Sequence, residues 1–300
     1  MGHIVKTVDH DYNLLRSEIY SLVGKYPFLY HARIGKSFMG KELLALQLGK
    51  CRSYVLIAAA FHGKERITSA IALRFVEDLC NSIALGNDLT GIPISRVLKD
   101  RGLIVVPMVN PDGCDIAIHG EKACLSHAPR IKRLCGGHFE DWNANARGVD
   151  INHNFNAGWK ELKLLEEEEG IFGPAPSHYG GSRPESEPET VALTNLCKRI
   201  KIDHVMALHT QGEEIYWRYG DRTPPQSERM AKILAASSGY KMADPVGAAS
   251  HGGFKDWFIN QFGRPGFTVE LGRGVNPLPP EQMEQIYPTA LELMALALIM

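Results

Sequence analysis

Apolar residues along the chain follow two patterns. Short runs of aliphatic and β-branched residues lack the polar alternation of a half-exposed strand, which predicts strands buried on both faces. Longer segments repeat apolar residues at intervals of three and four, which predicts amphipathic helices. The predicted strands are 42–49, 54–60, 102–109, 204–208 and 267–271, and the predicted helices are 11–23, 67–80, 187–200, 227–238, 254–262 and 288–299.

Strands and helices alternate along the chain, which predicts an α/β fold with a buried mixed sheet flanked by helices. Asn110-Pro111-Asp112-Gly113 predicts a turn that closes the strand at 102–109. The sequence contains no internal repeat and no Pro/Gly/Ser-rich linker. We therefore expect one domain over 1–300, with 1–40 as an N-terminal helical segment packed on it.

Polar side chains accompany three of the predicted buried strands. His62 and Glu65 follow the strand at 54–60, His209 follows 204–208, and Glu270 lies within 267–271. In α/β sheets, functional residues lie beyond the strand ends, so these four side chains are predicted to meet. Two imidazoles and one carboxylate are the protein ligands of one type of catalytic zinc site. We predict that His62, Glu65 and His209 bind zinc and that Glu270 is a general base.

Composition and charge narrow the class of protein. The 300 residues are 44% hydrophobic with a net charge of −1, which is ordinary for a globular enzyme and argues against nucleic acid as a partner. No apolar stretch approaches the ~18 residues of a membrane span, so no membrane partner is expected. The N-terminus carries no secretion signal, and the six scattered cysteines form no Cys-x-x-Cys pair. We expect a cytoplasmic protein with free thiols and leave its oligomeric state open.

The order of these residues resembles the zinc carboxypeptidase family. The resemblance rests on His62-x-x-Glu65, then His209, then Glu270 in Phe-Thr-Val-Glu-Leu-Gly. The segments 110–113 and 148–155 (Gly-Val-Asp-Ile-Asn-His-Asn-Phe) resemble two further signatures of the family. The resemblance implies one α/β domain with a mixed eight-stranded sheet, one zinc ion per chain and peptide-bond hydrolysis.

One branch of the family is more similar still. The segments 155–159, 208–217 and 252–259 resemble bacterial γ-D-glutamyl-diaminopimelate peptidases. These enzymes cut the bond between D-glutamate and diaminopimelate in peptidoglycan stem peptides. The resemblance therefore implies a peptidoglycan-derived peptide as substrate and a role in cell-wall recycling or spore-related turnover.

The sequence departs from the family at positions that contact substrate. Asn152-His153 stands where ordinary carboxypeptidases have Asn-Arg, and histidine cannot copy the bidentate grip of arginine on a carboxylate. Asn143 stands where the family often has a basic residue that polarises the scissile carbonyl. We expect Asn143, Asn152 and His153 to bind substrate and Arg147 to supply the missing charge.

Two further residues are predicted to contact substrate. A family tyrosine before the Gly-Gly turn at 252–253 is missing, and His251 is a candidate to replace it. The substrate carries several carboxylates that require cations, and Lys255 is one candidate for that role.

Other functions remain open at this point. The same chemistry suits an ordinary metallocarboxypeptidase or a small-molecule amidohydrolase. The missing arginine argues against the first, and the long segment 152–209 argues against the second. A zinc-containing module that binds muropeptides without cutting them is a third alternative, although such a module has no use for Glu270.

Overall fold

A mixed sheet of eight strands runs through residues 2–300, the part of the chain that the computed structural model describes. The strands are β1 (Tyr30–Lys36), β2 (Glu42–Leu48), β3 (Tyr54–Ala59), β4 (Gly102–Val106), β5 (Ile202–His209), β6 (Glu214–Tyr216), β7 (Lys241–Ala243) and β8 (Gly266–Glu270). The α-helices of this range are α1 (Tyr12–Lys25), α2 (Ile67–Leu85), α3 (Ile94–Asp100), α4 (Pro111–His119), α5 (Ala128–Cys135), α6 (Trp159–Glu168), α7 (Pro188–Arg199), α8 (Gln226–Ser238), α9 (Phe254–Phe262) and α10 (Met283–Ile299). The predicted fold class, a single α/β domain with a mixed eight-stranded sheet, is confirmed.

The centre of the sheet consists of parallel strands. The strand order is β1-β2-β4-β3-β5-β8-β6-β7, and β4, β3, β5 and β8 run parallel to one another. β2 is antiparallel to β1 and β4, and β6 is antiparallel to β8. All six residues of β3 are buried, as expected for a parallel strand covered on both faces. The uninterrupted apolar runs of the sequence therefore correctly predicted the strands at the centre of the sheet.

Alternate residues of β3 enter two separate hydrophobic cores. Val55 and Ile57 belong to the core that contains residues of α1, α2, α8 and α10. Leu56 and Ala58 belong to the core that contains residues of α7 and α9. Helices thus cover both faces of the sheet. Polar side chains can line a cavity only beyond the ends of the central strands. Within residues 2–300, no helix has both the length and the apolar character required to cross a membrane.

The N-terminal region differs from its prediction. Residues 30–36, expected within a helical N-terminal segment, form β1 at the edge of the sheet. Most side chains of this strand are exposed or half-buried, so it lacks the apolar pattern that marks the central strands. Its position is determined by antiparallel pairing with β2. The helix predicted at 11–23 is confirmed as α1.

The segment 110–113 also differs from its prediction, because it begins helix α4 rather than forming an isolated turn. The Asn110 side chain accepts a hydrogen bond from the Gly113 backbone N–H at 2.9 Å, and Pro111 is the first helical residue. Asparagine at an N-cap and proline at the first position both favour a helix start. The same residue types favour turns, which explains the ambiguity.

Candidate metal centre

Three neighbouring strands bring the predicted metal ligands and Glu270 to one edge of the sheet. His209 is the last residue of β5, Glu270 is the last residue of β8, and the two pair directly in the parallel register. His62 and Glu65 follow β3, the other neighbour of β5. The carboxyl ends of parallel strands lie at the same edge, so residues distant in sequence become neighbours.

The two histidines and Glu65 form a compact set of donor atoms. His62 Nδ1 lies 2.8 Å from Glu65 Oε1, and His209 Nδ1 lies 3.0 Å from Glu65 Oε2. One ligand atom from each of the three residues lies within 4.8 Å of the others. Imidazole nitrogen together with carboxylate oxygen is a donor set that Zn²⁺ binds in catalytic sites. The residues present therefore fit a zinc ion.

The Asp150 carboxylate contacts this cluster through the second ring nitrogen of His62. Its Oδ1 atom lies 3.1 Å from His62 Nε2, and its Oδ2 atom accepts a hydrogen bond from the His178 backbone N–H at 2.9 Å. A carboxylate on the second ring nitrogen determines the tautomer and orientation of a metal-binding histidine. Asp150 lies within the segment 148–155, and its role could not be predicted because a single loop carboxylate carries no signal of its own.

Gly63 explains how the turn between the ligands is held. A Cβ atom at this position would lie 2.3 Å from the Gly113 carbonyl oxygen and 2.5 Å from the Trp142 carbonyl oxygen. The Gly63 backbone N–H donates to the Asn143 carbonyl oxygen at 3.0 Å. Only glycine allows this close approach of three backbone segments. The approach holds His62 and Glu65 against the rest of the site.

Asn110 joins the same segments through its side chain. Its buried amide nitrogen lies 3.0 Å from the carbonyl oxygen of Phe61 and 3.1 Å from those of Asn143 and Ala144. Its side-chain oxygen caps helix α4, as described above. One asparagine thus connects the start of a helix, the ligand turn and the segment that carries Asn143.

Burial and mutual attraction have opposite effects on the ionisation of the cluster. Burial alone would lower the pKa of His62, but the charges of Glu65 and Asp150 raise it well above its usual value. Burial also opposes ionisation of Glu65, yet the His62 and His209 imidazoles lower its pKa to about 2. In contrast, burial raises the pKa of Glu270 well above its usual value, and the charge of Glu65 adds to this effect. Glu270 is therefore a carboxyl with raised proton affinity beside the donor atoms.

The cluster opens into a polar cavity of about 280 Å³. Glu270 and four predicted substrate-binding residues line it, namely Asn143, Asn152, His153 and Lys255. Asn152 Oδ1 accepts a hydrogen bond from the Phe254 backbone N–H at 3.0 Å, and His153 Nδ1 lies 3.0 Å from the His178 carbonyl oxygen. The buried side-chain oxygen of Asn143 has no hydrogen-bond partner among residues 2–300. This oxygen is an unused acceptor, and the donor of the Asn143 amide group is its side-chain nitrogen.

Several other residues that line the cavity received no predicted role, among them Lys64, Asp256 and Tyr216. Lys64 and Asp256 line it, and in the sequence their only signal is that each adjoins a predicted site residue. Tyr216 also lines it and donates to Glu214 at 2.9 Å. Tyr216 belongs to β6, whose three residues are too few for a recognisable pattern.

The structure does not bring Arg147 to the cavity. Its side chain is 43% exposed, its guanidinium lies 5.2 Å from the centre of the Phe38 ring, and Nε lies 3.7 Å from Glu187 Oε2. Its backbone N–H donates to Asn145 Oδ1 at 2.9 Å, and Arg147 is not among the residues that line the cavity. This position argues against the predicted contact with a scissile carbonyl.

His251 also lies outside the residues that line the cavity. Its Nδ1 atom is 3.2 Å from the Tyr219 hydroxyl, and the two rings meet edge to face. A Cβ atom at Gly158 would lie 2.4 Å from His251 Nδ1, so the ring packs closely on that glycine. These contacts place the His251 ring against Tyr219 and Gly158, and its contact with substrate stays a prediction.

Comparison with known proteins decides the family. The model of the zinc carboxypeptidase family matches residues 15–295. The chain belongs to the zinc carboxypeptidase family. Membership agrees with the eight-stranded sheet and with the ligand cluster at its edge, and it makes the protein a hydrolase of peptide bonds.

Individual members of the family differ in how closely they resemble this chain. Gamma-D-glutamyl-L-diamino acid endopeptidase 1 of Lysinibacillus sphaericus is 36% identical over 288 residues, which cover 94% of this chain and 70% of that protein. The solved structure of thrombin-activatable fibrinolysis inhibitor shares 20% identity and a TM-score of 0.75, covering 99% of this chain and 76% of that one. Murein-tripeptide amidase from Escherichia coli O157 shares 21% identity and a TM-score of 0.54, covering 88% and 91%. At these identities, both solved structures support the fold alone.

Proposed function

We propose that the protein is a zinc-dependent peptidase that hydrolyses the γ-D-glutamyl–diaminopimelate bond of peptidoglycan-derived peptides. The observation that carries this proposal is the cluster of His62, Glu65 and His209 beside Glu270 in one polar cavity. The 36% identity to a γ-D-glutamyl-L-diamino acid endopeptidase supports the choice of bond.

The chemistry follows from the residues that face the cavity. His62, Glu65 and His209 would hold the zinc ion, which when bound polarises a carbonyl group and acidifies water. Glu270 takes a proton from the attacking water and delivers it to the leaving amine, because it pairs directly with His209 in the sheet and lines the same cavity. Asn143 donates a hydrogen bond to the oxygen of the scissile carbonyl. Asp150 keeps the His62 ring in its binding orientation.

The positively charged side chains of the cavity argue against the substrate of an ordinary carboxypeptidase, which is bound through its C-terminal carboxylate. Among the described residues that line the cavity there is no arginine, and the cationic side chains are Lys64 and Lys255. Ordinary carboxypeptidases, by the resemblance above, bind the terminal carboxylate with an arginine where this chain has His153. A lysine is a point charge without the bidentate geometry of arginine, so this cavity selects its carboxylates differently.

The site of action that we propose is the cytoplasm. All six cysteines of the chain are free thiols in the described structure, and Cys80, Cys114, Cys124 and Cys197 are buried. Free thiols are typical of proteins in reducing compartments. This supports an enzyme that meets its peptides after their uptake or release into the cell.

The proposed function is tested with L-Ala-γ-D-Glu-meso-diaminopimelate as substrate. We expect the purified protein with zinc to release diaminopimelate, detected by mass spectrometry, and we expect a chelator to stop the release. Glu270→Gln removes the proton acceptor, so it should reduce kcat by at least about 100-fold while zinc remains bound. Glu281→Gln, the same change at an exposed glutamate, is the matched control and should leave kcat unchanged.

Two results would contradict the proposal. The first is intact peptide in the presence of protein that binds zinc stoichiometrically, which would favour a module that binds without cutting. The second is full activity of Glu270→Gln, which would remove the proposed base.

A further inference from the structure

The irregular segment between α6 and α7 contacts two parts of the site. Residues 169–187 form neither helix nor strand. The Pro176 carbonyl oxygen accepts a hydrogen bond from the Asn143 backbone N–H at 2.9 Å. The His178 backbone N–H donates to Asp150 Oδ2 at 2.9 Å. The segment therefore binds both the proposed donor to the scissile carbonyl and the carboxylate beside a proposed metal ligand.

Two side chains of α6 bind the same segment. Backbone outside helices and strands lacks a regular ladder of hydrogen bonds, so its position depends on other contacts. Glu166 Oε1 accepts a hydrogen bond from the buried Gly180 N–H at 2.7 Å. Lys163 Nζ donates to the carbonyl oxygen of Gly181, which is also buried, at 3.1 Å. Helix α6 thus holds two consecutive residues of the segment, one by an acceptor and one by a donor.

The two α6 side chains also form an ion pair with each other. Glu166 is fully buried, although the other glutamates of the run 166–169 are exposed. The Lys163 ammonium donates to Glu166 Oε2 and lies 4.2 Å from the centre of the Tyr179 ring. Burial of an ion pair often costs more than its attraction returns, so the pair is weak evidence of a role in stability. Its contacts with an irregular segment beside the site indicate a role in positioning.

Close packing connects α6 to the cavity through Gly180. A Cβ atom at this position would lie 2.8 Å from Leu162 Cδ2 on α6 and 2.6 Å from the carbonyl oxygen of His153, which lines the cavity. An interior packed this closely leaves no volume in which a displaced segment could relax. A shift of the segment away from α6 would therefore change the position of groups at the site.

We propose that Lys163 and Glu166 are positioning residues of the peptidase. They hold the segment at Gly180 and Gly181, and the segment in turn fixes the Asp150 carboxylate and the Asn143 backbone. Neither Lys163 nor Glu166 is among the residues that line the cavity. Their loss should weaken zinc binding and lower kcat while KM changes little. The effect on kcat rests on the proposed function, whereas the effect on zinc binding does not.

Two double variants separate positioning from stability. Glu166→Leu with Lys163→Met removes both charges, and replacement of a buried ion pair by apolar residues is often neutral for stability. This variant should therefore unfold at nearly the same denaturant concentration as the unaltered protein, although it cannot bind Gly180 and Gly181. Glu166→Gln with Lys163→Met is the conservative variant, because glutamine retains an acceptor for the Gly180 N–H. Glu167→Gln, at the adjacent exposed glutamate, is the matched control.

Zinc affinity, measured by competition with a chelator in the absence of substrate, is the first readout. We expect the Leu/Met variant to bind zinc about 10-fold more weakly, at the lower end of the effect of outer partners of metal ligands. Its kcat on the diaminopimelate peptide should fall at least about 10-fold, with KM within about threefold, because small displacements of catalytic groups are costly. The Gln/Met variant should bind zinc more tightly than the Leu/Met variant, and Glu167→Gln should match the unaltered protein.

Unaltered zinc affinity and kcat in a folded Leu/Met variant would overturn the inference, as would an equal loss in Glu167→Gln. If the Leu/Met variant does not fold, Lys163→Met alone provides the test. It removes the hydrogen bond to the Gly181 carbonyl oxygen and should weaken zinc binding by about threefold, and unchanged zinc affinity would again overturn the inference. Absence of cleavage by the unaltered, zinc-loaded protein would contradict the proposed function and leave the zinc comparison as the test of positioning.

Discussion

At the scale of single residues, the cavity presents an amide where the family resemblance predicts a basic side chain. Asn143 is 8% exposed and lines the cavity, and its side-chain nitrogen is the donor of the amide group. An amide donates a hydrogen bond to a developing oxyanion but stabilises less negative charge than a guanidinium does. Its value therefore depends on its position. The Asn143 backbone N–H donates to the Pro176 carbonyl oxygen at 2.9 Å, and the Asn143 carbonyl oxygen accepts from the Gly63 backbone N–H at 3.0 Å and from Asn110 Nδ2 at 3.1 Å.

Replacement of Asn143 tests its role as donor to the scissile carbonyl. We expect Asn143→Ala to lower kcat on the order of 100-fold with a small change in KM, because the hydrogen bond is strongest in the transition state. Arg147→Ala is the comparison, and its kcat/KM should stay within about twofold of the unaltered enzyme because its guanidinium lies beside Glu187 and Phe38. Steady-state kinetics on the diaminopimelate peptide measures both. A large loss in Arg147→Ala and none in Asn143→Ala would reverse the two assignments.

Whether a site residue could be predicted from the sequence depended on its position relative to a buried strand. His62, His209 and Glu270 follow or end buried strands, and that context predicted that they meet. Asp150, Lys64 and Asp256 lie in loops or in the first turn of a helix, where charged side chains are common and usually face water. Their role comes from three-dimensional neighbours, such as the His62 ring 3.1 Å from Asp150.

At the scale of secondary structure, the turn between β3 and α2 is the element on which the site depends. It holds two of the three proposed ligands, and it is attached to the segments at 113 and 142–143 by the backbone contacts of Gly63. The rigid end of β3 and the start of α2 confine the turn on either side. The positions of these two side chains are therefore fixed by the close packing of backbone segments around the turn.

The same substitution at two glycines should have opposite effects. Gly63→Ala places a Cβ atom 2.3 Å from a carbonyl oxygen, so we expect a loss of about 1–3 kcal/mol in unfolding free energy and weaker zinc binding. Gly24 is an exposed residue of helix α1 with no atom within 4 Å of an added Cβ, so we expect Gly24→Ala to bring a gain of about 0.5–1 kcal/mol. Denaturant unfolding and zinc titration measure both variants. Equal stability of the two would show that the turn adjusts easily.

Elements that lack an apolar pattern could not be predicted. β1 is an exposed edge strand, and β6 and β7 have three residues each, so pairing with neighbours determines their conformation. Helix α4 was interpreted as a turn because asparagine and proline begin both structures. The long central strands and helices were predicted because hydrophobic burial alone specifies them.

At the scale of the whole molecule, buried carboxyl groups make stability depend on pH. Glu189 lies on α7, is fully buried, and accepts hydrogen bonds from the Phe38 backbone N–H at 2.8 Å and from Asn145 Nδ2 at 3.2 Å. Burial, with the charge of Asp112, raises the pKa of Glu189 to about 8 from a usual value of 4.5. The folded state therefore binds a proton that the unfolded chain has released between these pH values. The contribution is complete below pH 4.5 and is lost as pH rises through 8.

Glu189→Gln should remove this dependence. We expect the unfolding free energy of the unaltered protein to fall between pH 6.5 and 8 relative to the variant, by at most about 1.4 kcal/mol per pH unit for one proton. Glu281→Gln, at an exposed position, should keep the profile of the unaltered protein. Denaturant titrations at several pH values measure the difference. Parallel profiles for the unaltered protein and Glu189→Gln would show that Glu189 ionises normally.

The distribution of the ligands along the chain links metal binding to folding. His62 and Glu65 are three residues apart and stay close even in an unfolded chain, whereas His209 follows Glu65 by 144 positions and joins them only when β3 and β5 pair. An unfolded chain thus offers zinc a weak two-ligand site, and the third ligand is present only in the folded sheet. By mass action, a metal ion held by all three residues would shift the equilibrium toward the folded chain by the difference between these two affinities. Where free zinc is scarce, newly made chains compete for it only after the sheet has formed, so metal loading discriminates folded molecules from unfolded ones.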